Sequence, residues 1–175
     1  LHWGLKNPCK DAAKPKKPKG RVRWITHPEA SRLIAAARRT VNCHGKPLPA
    51  EACSTVLADF IELALNTGCR KGELLSLKWE DVDLSTRLLK LQETKSGEWQ
   101  TVPINDQARQ VLVRRLRHRE AVCPATPFVF FHERQRHGVS VGDQVKDVKA
   151  SFASACKRAG IKDFRIHDLR HTFAS

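Results

Sequence analysis

The stretch Ala64-Leu-Asn-Thr-Gly-Cys-Arg-Lys-Gly-Glu-Leu-Leu-Ser-Leu-Lys-Trp-Glu-Asp-Val-Asp83 contains the end of one helix and the start of another. Upstream of it, Val56, Leu57, Phe60, Ile61, Ala64 and Leu65 recur at three-four spacing, which predicts a helix from about Ala50 to Asn66. Thr67-Gly68 stops that helix. A second is expected from Cys69 or Arg70 to about Leu77. Arg70 and Glu73 stand three apart, so on a helix they share a face, where a carboxylate can hold a guanidinium in one orientation.

Toward the C-terminus the periodicity changes. Leu88-Leu-Lys-Leu91 and Gln100-Thr-Val-Pro103 alternate as strands do, with Lys95-Ser-Gly97 as turn material between them. Pro103 marks the second strand as an edge. Asn105 opens a further helix, with Ala108, Val111, Leu112 and Leu116 inward and its arginines, Arg109 to Arg119, outward. Phe128-Val-Phe-Phe131 is a short buried run, and Val145 to Ala159 reads as a helix closed by Gly160. His167 to Ser175 begins one more helix. On the N-terminal side, Thr26-His-Pro-Glu29 has the form of a capping box, leading into an amphipathic helix from Ala30 to Arg39. Gly45-Lys-Pro-Leu-Pro49 reads as a loop. The fold class expected is mainly α with a small antiparallel β-sheet (α+β).

Composition narrows the partner. The 32 Lys+Arg against 18 Asp+Glu leave a net charge of +14 over 175 residues, and nucleic acid is the first polyanion to consider. Half of that surplus lies in residues 1–23, where eight cations face the single acid Asp11, a balance of +7. Lys14, Lys16, Lys17, Lys19, Arg21 and Arg23 make this proline-containing stretch a basic linker able to attract phosphates. The folded domain is expected over 24–175. Six cysteines, none within ten residues of the next except at that limit, make no zinc-ligand pair and read as reduced thiols. No apolar run reaches membrane-spanning length. The sequence has no methionine and ends in Thr-Phe-Ala-Ser without a cap, so it reads as a piece trimmed at both ends.

Two boxes a hundred residues apart hold the chemistry. Thr67-Gly-Cys-Arg-Lys-Gly-Glu73 supplies Arg70, and His167-Asp-Leu-Arg-His-Thr172 supplies His167, Arg170 and His171 at i, i+3, i+4 spacing. Lys95 lies between them in Thr94-Lys-Ser-Gly97. Two arginines matching non-bridging phosphate oxygens, one ammonium and an imidazole are the donors a phosphodiester in transition needs. His167 and His171 also have the spacing of a zinc helix, but no third ligand follows, and the acids do not cluster as a Mg²⁺ site requires. No metal and no cofactor is expected.

These three stretches, in this order and spacing, resemble the tyrosine recombinase (phage integrase) family over roughly residues 22–175. Ala64–Asp83 resembles its first box, Thr94-Lys-Ser-Gly with Thr101-Val-Pro-Ile104 its β-hairpin lysine region, and His167–Thr172 its second box. The resemblance implies the family's catalytic-domain fold, with residues 1–23 as interdomain linker and the C-terminal helices lacking. It implies that Arg70 and Arg170 bind the scissile phosphate, that Lys95 protonates the departing 5′-hydroxyl, and that His167 assists proton transfer. Glu73 then supports Arg70, and His171 is structural. The family forms a 3′-phosphotyrosine link, and this sequence contains no tyrosine.

The expected function is site-specific DNA recombination, integration or excision, by strand breakage and rejoining in the intact protein. These residues alone are expected to bind double-stranded DNA without cleaving it. The competing readings are a non-catalytic DNA-binding module and a site completed in trans by another subunit's tyrosine. By resemblance the intact protein is a tetramer on DNA, whereas the fragment is expected to be a monomer, in the cytoplasm of a bacterial or phage-bearing cell and associated with the nucleoid.

Overall fold

The computed structural model describes residues 23–38, 46, 54–92, 99–135 and 138–175. Helix α1 (His27–Ala37) starts at the capping box read from sequence: the Thr26 hydroxyl accepts the Glu29 N–H, and the Glu29 carboxylate accepts the Thr26 N–H at 2.9 Å. Helix α2 (Val56–Thr67) ends on Gly68, whose φ of +64° is the left-handed conformation of helix C-caps. Helix α3 (Lys71–Ser76) follows at once. Strands β1 (Val82–Asp83), β2 (Leu88–Gln92) and β3 (Trp99–Pro103) form an antiparallel sheet in the order β1-β2-β3. Leu89 stands opposite both Val82 and Val102. β3 is an edge strand, as Pro103 requires. β1 is too short to show any alternation, and only its pairing with β2 defines it. Helix α4 (Asp106–Val122) is capped by the Asn105 side chain, which accepts the Ala108 N–H at 2.8 Å. Helices α5 (Lys149–Arg158) and α6 (Asp168–Phe173) complete the order.

The helix expected from Val145 begins four residues later. The Val145 N–H is bonded instead to the Phe130 carbonyl at 3.1 Å, and Gln144 bridges to Phe131, so this stretch pairs with the buried phenylalanine run. Asp147 then accepts the N–H groups of Val148 and Lys149 at 2.9 and 3.2 Å, and the helix starts there.

Helix α2 packs against α1, α4 and α6 and is buried almost all round, which makes it the central element. Phe60 from α2 meets Phe130 edge-on at 5.8 Å between ring centroids. Cys69 and Cys156 are buried free thiols and Cys123 is half-buried, while Cys9, Cys43 and Cys53 lie outside the described residues.

The expectation that every arginine of α4 faces outward is corrected by Arg115, which is fully buried. It follows Val111 by four residues and Leu112 by three, so the helix places it on the apolar face. Its Nε donates to the Val129 carbonyl at 3.2 Å, its Nη1 to Glu133 at 3.1 Å, and its guanidinium lies 5.1 Å from the Phe131 ring centroid. Asp59 of α2 is 3.9 Å away and is itself bonded to Arg114 at 3.1 Å. His118 completes the group, 2.8 Å from Glu133. A buried charge is tolerated only with such partners.

Burial pushes the Glu133 carboxyl up, but bonds from His118, Ser54 and Arg115 outweigh it and hold the group at about 2, against 4.5 for an ordinary glutamate. A group depressed in the folded state stabilises it fully above the unfolded value and loses that contribution as pH falls through the folded one. Stability is therefore expected to decline between pH 4.5 and about 2 on account of Glu133. Denaturant midpoints measured across that window should flatten in Glu133→Gln, and an equally steep decline in that variant would exclude Glu133 as the cause.

Candidate active site

Gly68 turns the chain out of α2 so that Arg70 follows in extended conformation (φ −70°, ψ 153°), at the position just before α3. Arg70 and Glu73 therefore do not share a helix face in the way their spacing suggested. The Glu73 carboxylate reaches back instead, one oxygen accepting the Arg70 backbone N–H and the other its Nη1, both at 2.7 Å. This two-point hold fixes both the backbone and the guanidinium of Arg70. The Arg70 side chain is 51% exposed and that of Glu73 15%, so the carboxylate is shielded while the cation reaches solvent.

The second box comes to the same place. Arg170 on α6 donates from Nη1 to the Gly68 carbonyl at 2.8 Å, two residues from Arg70 across a hundred residues of chain. Cys69 stands between Gly68 and Arg70 in the chain. Burial raises its thiol pKa, with the Glu73 charge adding to the rise and the Arg170 charge opposing it. Among the described residues no carboxylate pairs with the half-buried Arg170 side chain, whose remaining N–H groups are open to an anion.

His167 immediately precedes α6, exposed, and its carbonyl accepts the Arg170 N–H at 3.2 Å. Its ring meets that of His171 edge-to-face at 5.0 Å, so these two lie on one side of the helix start. Lys95 lies outside the described residues, as do Lys14, Lys16, Lys17, Lys19 and Arg21. Arg23 is described, and its guanidinium is turned onto the start of α1, bonded to the Trp24 carbonyl and 3.5 Å from Glu29.

Sequence reasoning missed two supports of this site. Asp168 is buried and locks the turn that carries His167: its carboxylate accepts the Arg165 N–H at 2.8 Å, and its own N–H donates to the Arg165 carbonyl at 2.9 Å. Thr172 donates to the Asp168 carbonyl at 2.8 Å and accepts the Ile25 N–H at 3.3 Å, tying α6 to the segment before α1. An acid in the first turn of a short helix was the available signal for Asp168. Among the described residues no group of His, Cys, Asp and Glu is arranged to hold a metal ion.

Residues 23–175 match the model of the phage integrase family. The chain belongs to the phage integrase family. Its mostly helical architecture with one three-stranded antiparallel sheet is that of the family's solved members, among them XerA recombinase, which superimposes with a TM-score of 0.66 at 25% identity over 93% of this chain and 51% of that one. The integrase of Salmonella phage P22 is 31% identical over 89% of this chain. The shufflon-specific DNA recombinase of Escherichia coli is 30% identical over 98%. The chain spans little more than a third of the length of these two relatives, 36% and 37%. Among the described residues no helix is long and apolar enough to cross a membrane.

Proposed function

We propose that this phage integrase family chain is the phosphate-binding part of a site-specific DNA recombinase, acting on double-stranded DNA. The observation that carries the reading is the meeting of the two boxes at Gly68: Arg170 bonds to its carbonyl, and Arg70 stands two residues on, held by Glu73. Two guanidinium groups brought together this way, one with no carboxylate partner among the described residues, form a seat for a phosphodiester rather than a surface ion pair.

In this reading Arg70 and Arg170 grip the non-bridging oxygens of the scissile phosphate and stabilise the charge that builds as phosphorus becomes five-coordinate. His167, exposed beside Arg170, moves a proton to or from the nucleophile while bonding to the phosphate. Lys95 gives a proton to the departing 5′-hydroxyl. Glu73 keeps Arg70 aimed, and His171 packs against His167. The basic residues 1–23 add phosphate attraction that weakens with salt. In the intact protein a tyrosine takes up the 3′-phosphate and energy is conserved in that ester. The whole protein works as a tetramer on DNA in the cytoplasm of a bacterium, and the present chain is a monomer.

A chain without tyrosine cannot form the ester. Incubation with a nicked suicide duplex carrying the cognate site is expected to give salt-sensitive binding and no covalent adduct. An adduct that survives denaturation would overturn the assignment of the nucleophile to a tyrosine outside these 175 residues. Adding a tyrosine-bearing recombinase subunit tests whether the site is completed in trans, with cleavage then dependent on Arg170 of this chain.

A further inference from the structure

We propose that Phe173 is a positioning residue for Arg170, acting through Gly68. The proposal rests on the reading of Arg170 as a phosphate ligand, and adds the device that aims it.

Phe173 follows Arg170 by three residues, so the two reach the same side of α6. Both land on Gly68. Arg170 donates to its carbonyl at 2.8 Å. The Phe173 ring occupies the space where a side chain at Gly68 would begin: a Cβ there would stand 2.3 Å from ring Cδ1 and 2.8 Å from Cε1. The ring thus lies on bare backbone, and Gly68 is required twice, for its positive φ and for this contact.

Helix α6 is packed on α2, and the contacts at Gly68 act on top of that packing. A hydrogen bond and an aromatic contact on the same residue set the helix's rotation against the end of α2, and with it the direction of the Arg170 guanidinium toward Arg70. The Thr172–Ile25 bond holds the other side of the helix. Phe173 remains 51% exposed, so burial in the core does not account for a large apolar side chain at this position.

The test uses NMR of the isotope-labelled arginine guanidinium groups in the purified chain, with the Arg170 signal identified by its loss in Arg170→Lys. The parent is expected to show a hydrogen-bonded Arg170 Nη proton in slow rotation. Phe173→Ala should collapse that signal and weaken duplex binding about tenfold, the scale of one charge-assisted hydrogen bond. Phe173→Leu, which keeps apolar bulk over Gly68, should retain most of both. A folded Phe173→Ala chain with the bonded signal intact overturns the proposal, even where DNA binding weakens, because the ring would then be touching DNA itself. Arg170→Ala binding DNA as tightly as the parent overturns the phosphate reading instead, a result separate from the resonance.

Discussion

Arg115→Ala is expected to destabilise the fold by about 3–5 kcal/mol, the cost of removing one partner from a buried ion group. The guanidinium is wholly inside, bonded to the Val129 carbonyl and to Glu133, with Asp59 at 3.9 Å and the rings of Phe130 and Phe131 at 5.7 and 5.1 Å. Truncation takes a buried cation from Asp59 and Glu133 and leaves a bare carbonyl and a cavity, and each of these opposes folding. Urea unfolding read by a core probe should show a lower midpoint with unchanged slope. The same substitution at Arg114, whose side chain is 41% exposed, should cost less, because water replaces it. Adding Glu133→Gln to Arg115→Ala should recover part of the loss, since one stranded charge is then gone. A loss under about 1 kcal/mol for Arg115→Ala would show that the buried network does not hold α4 to α2.

Loss of both arginines from the candidate site is the second large effect. Arg70→Ala with Arg170→Ala is expected to weaken duplex binding by at least about a hundredfold, taking roughly 1.5–3 kcal/mol for each charged donor. The single Arg170 change should account for a larger share than Arg70, because Arg170 is half-buried while Arg70 is half-exposed and already engaged by Glu73. Arg170→Lys should not restore the parent affinity, since an ammonium cannot hold the Gly68 carbonyl and two phosphate oxygens in one plane. Binding titrations at several salt concentrations also test the basic N-terminal stretch, whose lysines are expected to contribute through counterion release. A double variant that binds as the parent does would remove the two boxes from the DNA interface.

Local signals in the sequence account for most of the fold. Helix α1 follows from Thr26 and Glu29, α4 from Asn105 and its apolar repeat, and the end of α2 from Gly68, because caps and periodicities act between residues that are neighbours in the chain. Where a residue's partner lies far away, local reading gave the wrong answer. Val145 leaves its helix because Phe130 takes its N–H. Arg115 turns inward because Asp59 of α2 and Glu133, in the loop after Phe131, compensate its charge.

The candidate site divides in the same way. Its residue types were legible: Arg70, Glu73, His167, Arg170 and His171 stand in two short boxes whose chemistry is written in their side chains. The sequence by itself also determined that these 175 residues contain no tyrosine. That the boxes meet was decided by tertiary structure alone, since the packing of α6 on α2 brings the Arg170 guanidinium onto the carbonyl of Gly68. A backbone carbonyl has no letter in a sequence, and its direction depends on a left-handed turn that one distant phenylalanine covers. Local propensity specifies elements because it acts over a few residues, whereas a site assembled from both ends of a fold exists only once the core between them has closed.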